Sequence, residues 1–308
     1  MQPITAEKGF ITIATGSKYY YQLAANLLLS YRYQTARPYP FAIIAEEENE
    51  YTALFDDVII VKDATRSFMD KLLLLKYCPY RETVFFDADI LAYGDLNRYW
   101  EIFSGATDFS SVGKNYELDQ DGAWYDVEGI GEFGKEISYK VQIHMGVCFV
   151  RQSESLKKLY ADCERIIDQY DSLTIKMYSS SKDEVTLGIA MPMNHMRVVD
   201  EKPEYVAALP SITGLKADIL NGVLEYTSFW GTRVENGGLL IHFGTENTRE
   251  PLYRFEVECL RHMADKTTDT LGFRIRYRLG TRWISLKTSS LCRRVLLRSR
   301  HALQKIFR

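Results

Sequence analysis

Residues 84–96 read VFFDADILAYGDL, and two carboxylates in this stretch decide how the chain is interpreted. Residues 82–86 are predicted to form a buried strand, which Asp87 and Asp89 follow directly. Because residues i and i+2 of a strand face the same side, the two carboxylates can point at one place. Like charges this close repel each other unless a cation compensates them, and a divalent cation does so with carboxylate oxygens as ligands.

The stretch belongs to a chain in which short apolar runs alternate with helical patterns. Continuous apolar runs are typical of a parallel sheet that helices cover on both faces. The predicted strands are 10–15, 41–45, 57–61, 82–86, 141–150 and 237–243, and the predicted helices are 17–34, 68–77, 153–170 and 183–191. The sequence therefore predicts an α/β fold with a mainly parallel sheet. Ligands of such sheets bind at the carboxyl ends of strands, where Asp87 and Asp89 are placed.

Residues 115–140 show no period that predicts a helix or a strand. They hold seven acidic residues, four glycines and scattered aromatic side chains. Long irregular segments within compact domains are usually functional or disordered. We therefore expect this segment to be a surface excursion over the site.

The bulk composition is ordinary for a globular protein, with 46% hydrophobic and 26% charged residues. The first residues lack the basic start and the apolar stretch of a secretory signal. No uncharged apolar run approaches the roughly 20 residues that a membrane-spanning helix needs. The five cysteines are scattered and never in CxxC spacing, which indicates reduced thiols. These features predict a cytoplasmic location.

Charge is distributed unevenly along the chain. Residues 271–308 hold eleven Lys or Arg and no acidic residue, whereas the residues before them hold 27 basic and 41 acidic side chains. At 100° per residue, residues 291–308 place apolar side chains on one helix face and basic ones on the other. We predict a linker at 264–270 and then a tail that anchors the protein peripherally to the anionic cytoplasmic face of the membrane.

The alternative for this tail is a helix docked on the domain. Nucleic acid is not an expected partner, because the acidic body would repel it.

The Asp87–Asp89 pair alone leaves three interpretations open: a metal site, a solvated strand end, or the nucleophile of an aspartyl-phosphate phosphatase. The phosphatase motif normally ends the first strand of its sheet, whereas several strand–helix units precede the pair here. The metal site is therefore favoured. Mg²⁺ and Mn²⁺ both accept oxygen ligands and keep positions open for phosphate oxygens.

Two stretches resemble a known family. ITIATGSKYYYQLAANLLLSYR (11–32) is similar to its first strand, nucleotide loop and helix, and DKLLLLKYCPYRETVFFDADILAYGDL (70–96) to its helix, turn, strand and DxD motif. The family is that of GT-A-fold glycosyltransferases, closest to the retaining enzymes related to glycogenin and to the lipopolysaccharide galactosyl- and glucosyltransferases of glycosyltransferase family 8. The resemblance implies a GT-A domain over residues 1–263. It also implies transfer of a sugar, with retention, from a nucleotide-diphosphate donor such as a UDP-sugar to a glycan, lipopolysaccharide-type or lipid-linked acceptor.

The same resemblance assigns the metal ligands to Asp87, Asp89 and His242. His242 lies in IHFGTENTREPLY (241–253), which departs from the family's His-x-x-Gly-x-x-Lys-Pro pattern. The alternative is a histidine that is part of the core. Carboxylates together with imidazole suit Mn²⁺ somewhat better than Mg²⁺. Arg249 replaces the family's lysine and is a catalytic candidate, because a guanidinium there would bind the diphosphate that departs.

Further roles are implied residue by residue. Asp183 and Glu184 match the family's Asp-Gln pair as catalytic candidates, and the alternative for Asp183 is a helix cap. Lys71 is either a cation near the diphosphate or a solvated lysine, and Glu46, after the second strand, either binds ribose or lies in a solvated turn. His144 stands where the family has an Asn that contacts the sugar. The residues predicted to bind the nucleotide and donor are Thr15, Gly16, Tyr19, Lys71, Asp87, Ala88, Asp89, His144 and Gly146.

Two other functions stay open at this point. A sugar-nucleotide-forming nucleotidyltransferase shares the α/β core and the metal, but ATGSKYYY (14–21) matches its Gly-rich loop poorly. A catalytically inactive relative that only binds sugar nucleotides is compatible with the histidine at position 144.

Overall fold

A seven-stranded sheet forms the centre of the larger part of the chain. The computed structural model describes residues 3–176, 182–235 and 237–265. These residues divide into two units. The first comprises residues up to Ala25, Tyr39–Ala88 and Asn97–Glu201, and the second comprises Asn26–Pro38, Asp89–Leu96 and residues from Lys202 onward.

The sheet of the first unit runs in the order β3-β2-β1-β4-β7-β6-β8. Numbered in chain order across both units, its strands are β1 (Ala6–Ala14), β2 (Phe41–Ala45), β3 (Asp57–Ile60), β4 (Tyr80–Phe86), β6 (Phe109–Tyr116), β7 (Lys140–Arg151) and β8 (Val199–Asp200). The pairs β1–β2, β2–β3, β1–β4 and β6–β8 are parallel, whereas β7 is antiparallel to β4 and β6. The predicted mainly parallel sheet is confirmed. Every residue of β2 is buried, as its continuous apolar run requires.

The described residues form six α-helices. They are α1 (Lys18–Gln34), α2 (Leu74–Tyr77), α3 (Tyr99–Ile102), α4 (Glu154–Gln169), α5 (Lys182–Met193) and α6 (Pro251–Asp265). The first, fourth and fifth lie close to predicted helices, the second covers only the end of the predicted helix at 68–77, and the third and sixth were not predicted. 3₁₀ helices span Thr52–Leu54, Phe68–Leu73, Leu96–Arg98, Glu128–Glu136, Tyr170–Ser172, Leu209–Ser211, Ile219–Asn221 and Thr245–Arg249. The hydroxyl of Ser153 accepts a hydrogen bond from the Leu156 amide, which fixes the start of α4.

The expectation for residues 115–140 is wrong in part. Instead of an excursion over the surface, the segment contributes to the core of the first unit. Its buried side chains are Ala123, Tyr125, Ile130, Phe133, Ile137 and Tyr139. These side chains are buried from a 3₁₀ helix at Glu128–Glu136, which is kinked at Gly131, and from irregular backbone. Because such backbone has no regular repeat, the sequence shows neither a helical nor a strand period here.

The second unit holds two small sheets. Their strands are β5 (Ile90–Ala92), β9 (Ala207–Ala208), β10 (Thr213–Asp218), β11 (Val223–Thr227), β12 (Arg233–Val234) and β13 (Leu240–His242). The orders are β10-β11-β12 and β5-β13-β9. Our sequence reading missed the strands between residues 199 and 234, although Asn221-Gly222 beside alternating apolar residues is a hairpin signal. The structure joins β10 and β11 by a four-residue loop, in which Gly222 takes a φ of 63° directly after the 3₁₀ turn Ile219–Asn221.

No helix within the described ranges combines the length and the apolar character needed to cross a membrane. The predicted tail, residues 271–308, lies outside the described residues, as does most of the predicted linker.

Candidate functional site

The strand that carries the Asp pair ends against a bulge in its neighbour β7. Ser111 of β6 pairs with Cys148, but the next residue, Val112, pairs with His144, so extra β7 residues lie between these pairs. The buried Ser111 hydroxyl donates to the His144 carbonyl at 2.7 Å. The amide of Asp87 donates to the carbonyl of Gly146, inside the bulge, at 3.0 Å. The bulge thus fixes the backbone of the first predicted metal ligand.

Lys71 lies in the 3₁₀ helix that precedes α2 and points at this bulge. Its Nζ is 2.7 Å from Oδ2 of Asp87, 3.3 Å from the Met145 carbonyl and 3.9 Å from Oδ2 of Asp183. Its side chain is only 14% exposed. Burial by itself lowers the pKa of Lys71, but the charges of Asp87 and Asp183 outweigh burial and raise this pKa above its usual value. The alternative of a solvated surface lysine is therefore wrong.

The first turn of α5 brings two more carboxylates to the same place. Oε1 of Glu184 accepts a hydrogen bond from the Met145 amide at 3.1 Å. Asp183 is fully buried, and its two oxygens accept no hydrogen bond from the described residues. Burial raises the pKa of Asp183 to about 7, although the Lys71 charge opposes this shift. A buried carboxylate with unused acceptor positions fits a ligand that brings hydroxyl donors.

The buried carboxylate of Asp70 helps to hold the loop after β1. It accepts hydrogen bonds from the Thr15 hydroxyl at 2.6 Å, from the Thr65 amide at 2.6 Å and from the Arg66 amide at 2.9 Å. Gly16 has φ of 86°, which its lack of a side chain permits. The predicted nucleotide loop is thus tied to the residue beside Lys71.

Of the three tyrosines that follow this loop, Tyr21 is buried and serves packing. Tyr20 is exposed, and Tyr19, the predicted nucleotide contact, is half-buried with its ring 6.4 Å from that of Tyr20.

His144 projects from β7 and is held by an acid that the sequence analysis did not select. Its Nε2 lies 3.3 Å from Oε2 of Glu201, whose Oε1 lies 2.9 Å from Nζ of Lys114. The hydrogen bond with His144, together with Lys114, lowers the pKa of Glu201 to about 2. An ionised carboxylate therefore fixes the imidazole of His144.

In the second unit, Asp89 and His242 are direct neighbours. The antiparallel pairing of β5 with β13 places His242 opposite Ile90, and His242 Nε2 lies 3.1 Å from Oδ1 of Asp89. The Thr245 hydroxyl donates to Oδ2 of Asp89 at 3.1 Å. Arg249 ends the 3₁₀ helix that begins at Thr245, and its side chain is exposed.

These donors suit a hard divalent cation. Two ligands at right angles on an ion with bonds of about 2.1 Å lie about 3 Å apart, close to the Asp89–His242 distance. Asp87 is joined to Asp89 through the buried Ala88, so the chain itself keeps the second carboxylate close. Asp87, Asp89 and His242 form an Asp-X-Asp plus His group that could bind a metal ion.

Among the residues of these clusters that were not predicted are three that hold predicted ones: Asp70, Glu201 and Thr245. Only Thr245 carried a local signal, because it follows the glycine turn after His242. Asp70 and Glu201 act through partners 55 and 57 positions away along the chain.

No protein-family model and no curated protein sequence matches the chain. Among solved structures, an active-site Gln-to-Glu mutant of LgtC covers 86% of this chain and 99% of its own, with a TM-score of 0.50 and 12% identity. The galactosyltransferase LgtC in complex with donor and acceptor sugar analogues gives the same coverage and identity with a TM-score of 0.48. The apo form of the bifunctional glycosyltransferase WbbM covers 80% of this chain and 47% of its own, with a TM-score of 0.47 and 13% identity. The structural neighbours are glycosyltransferases, and the likeness to the first LgtC structure confirms the predicted GT-A fold.

Proposed function

We propose that the protein transfers a sugar from a nucleoside-diphosphate donor, a UDP-sugar by resemblance, to a hydroxyl of a glycan or glycolipid. The observation that carries this proposal is the Asp87-Ala88-Asp89 sequence at the end of β4, with Asp89 3.1 Å from His242. The GT-A fold supports it, because this fold is shared with the glycosyltransferase LgtC.

The metal would be held by Asp87, Asp89 and His242, and Mn²⁺ suits this mixed set better than Mg²⁺. When bound, it would neutralise charge on the diphosphate of the donor. Lys71 adds a fixed positive charge beside Asp87, and Arg249 offers an exposed guanidinium that can bind phosphate oxygens bidentately.

Asp183 and Glu184 would bind and orient the sugar. The buried Asp183 carboxylate has unused acceptor positions for sugar hydroxyls, and Glu184 is fixed by the Met145 amide. Negative charge at this place also stabilises positive charge that develops at the anomeric carbon. By resemblance, the anomeric configuration of the sugar is retained.

A screen of nucleotide sugars with Mn²⁺ tests this function. We expect one of them to raise the melting temperature of the full chain and to be hydrolysed slowly in the absence of acceptor. The Asp89→Asn variant should lose both responses, whereas Lys76→Met, which alters an exposed ion pair, should keep them. Absence of any response in the wild-type protein would refute the proposal. Stabilisation without hydrolysis would indicate the inactive relative, and NMR of the product's anomeric proton would report the stereochemistry.

We also propose that the basic tail, residues 271–308, holds the protein at the anionic cytoplasmic surface of the membrane. Replacing Arg293, Arg294, Arg298 and Arg300 by Gln in the full chain should abolish co-sedimentation with phosphatidylserine-containing liposomes. Equal binding of the variant and the wild-type protein would refute the anchor.

A further inference from the structure

Glu46 directly follows β2, beside the loop that follows β1, and its carboxylate is fixed by two donors. The Gly16 amide donates to Oε2 at 2.5 Å, and Nε of Arg66 donates to Oε1 at 3.0 Å. The amide of Glu46 itself donates to the hydroxyl of the buried Tyr21 at 3.3 Å. The Glu46 side chain is 20% exposed, whereas the next residue, Glu47, is exposed. Glu46 is therefore held at the ends of β1 and β2.

The backbone of the partner Arg66 is fixed by Asp70, whereas its side chain is 67% exposed. It has φ of 58°, a conformation that costs energy for a residue with a side chain, and its amide donates to Oδ2 of Asp70 at 2.9 Å. Asp70 also binds the Thr15 hydroxyl and directly precedes Lys71. A short path of contacts thus links Glu46 to the cation at the predicted diphosphate position.

We propose that Glu46 accepts hydrogen bonds from the ribose hydroxyls of the nucleotide donor, an inference that rests on the proposed function. A carboxylate offers about four acceptor positions, and the described contacts use two. The positions left over match the two neighbouring hydroxyl donors of a ribose. β1 and β2 are parallel neighbours, with Ala14 opposite Ala45, and an acid that follows the second strand of such a pair is well placed for the ribose.

The ribose is common to all ribonucleotides, so Glu46 selects for the sugar of the nucleoside and not for its base. This separates its role from that of the residues that recognise the transferred sugar. The contact can therefore be tested from both sides, by removing a ribose hydroxyl from the nucleotide and by substituting Glu46 in the protein.

The test uses the full chain with Mn²⁺ and whichever of UDP, GDP and ADP binds most tightly by calorimetry. That nucleotide is compared with its 2′-deoxy and 3′-deoxy forms on wild-type protein, Glu46→Gln and Glu47→Gln. We expect Glu46→Gln to weaken binding of the ribonucleotide on the order of tenfold, as loss of a hydrogen bond to a charged group does. At least one deoxy form should bind the wild-type protein correspondingly more weakly, without a further loss on Glu46→Gln, because both changes remove the same contact. Glu47→Gln should behave as the wild-type protein.

Three results would overturn the inference. The first is equal binding of the ribonucleotide and both deoxy forms to the wild-type protein. This measurement uses the wild-type protein alone, so it does not depend on whether a variant folds. The second is a Glu46→Gln variant that binds like the wild-type protein. The third is a loss that adds fully to the deoxy effect, which would make Glu46 only a support for Gly16 and Arg66. If the wild-type protein binds no nucleotide at all, the proposed function fails together with the inference. If it binds a nucleotide but gives one of these three results, only the inference about Glu46 fails.

Discussion

Lys71 and Asp87 form a largely buried ion pair, with Nζ of Lys71 2.7 Å from Oδ2 of Asp87. The same ammonium lies 3.9 Å from Asp183, so one cation compensates two carboxylates. Asp87 directly follows β4 and Asp183 lies in α5, nearly 100 residues later in the chain. The ion pair therefore joins the Asp-X-Asp end of the strand to the predicted sugar-binding acids.

Replacing Lys71 by Met should reduce both stability and activity. The variant leaves Asp87 and Asp183 close together without their cation, and breaking such a partly buried network costs on the order of 3 kcal/mol. We expect a lower melting temperature without metal and a loss of donor hydrolysis of roughly 100-fold. Lys76→Met is the matched control. Lys76 lies five residues after Lys71, in α2, and forms an exposed ion pair with Asp63. Similar melting temperatures for the two variants would contradict the role assigned to Lys71.

Replacing His242 by Ala should weaken Mn²⁺ binding strongly. Loss of an outer-sphere partner alone costs about 10–100-fold in metal affinity, and loss of a ligand should cost at least as much. Thr245→Val, which removes the hydroxyl that orients Asp89, should give the smaller of the two losses. The measurement is the Mn²⁺ affinity by electron paramagnetic resonance of the free ion. His195→Asn serves as control, because His195 is exposed and Asn tolerates its φ of 56°. An unchanged affinity in His242→Ala would exclude His242 as a ligand.

The sheet and the Asp pair after β4 could be predicted from the sequence. Short apolar runs that alternate with helical patterns are a signal that the sequence shows directly. The Asp87 and Asp89 pair was identified by its place after such a strand. Residues 115–140 could not be assigned in this way. Tyr125 and Phe133 are buried from irregular and 3₁₀ backbone, and such segments produce no period that a sequence pattern can show.

The acids that hold the site residues could not be predicted from the sequence, for a different reason. Asp70 holds Thr15, and Glu201 holds His144, across long separations along the chain. Nothing local to these acids distinguishes them from solvated ones, since their partners are set by the order of strands in the sheet. Burial of Lys71 was unpredictable on the same grounds.

Replacing Gly113 by Ala should destabilise the protein. A methyl group added at Gly113 would lie 2.0 Å from the carbonyl oxygen of Gln142, across the β6–β7 pair. Because that oxygen belongs to backbone, the strands must separate, and we expect a loss of about 3 kcal/mol. Gly105→Ala is the control, since a methyl group there meets no atom within 4 Å. Chemical denaturation measures both variants, and equal free energies of unfolding would show that the two strands lie farther apart than described.

The stability of the protein should fall as the pH rises from about 5 to 8, owing to Glu256 in α6. Burial raises the pKa of Glu256 to about 8, against which the hydrogen bond from the Ile219 amide acts only partly. Between the ordinary pKa of a glutamate and this value, the folded protein keeps a proton that the unfolded chain has released. Folding then binds a proton, so each step up in pH within this window favours the unfolded chain.

Glu256→Gln should lessen this pH dependence. The amide can still accept the Ile219 hydrogen bond but carries no charge at any pH, so the variant's free energy of unfolding should fall less steeply than that of the wild-type protein, and Asp183, whose pKa is also raised, should contribute the slope that remains. A shift of this size corresponds to a loss on the order of 3 kcal/mol between pH 5 and 8. Glu258→Gln, at an exposed position two residues later, should retain the slope of the wild-type protein. Urea unfolding of the three proteins at several pH values measures this, and a Glu256→Gln variant with the wild-type slope would mean that Glu256 ionises normally in the folded state.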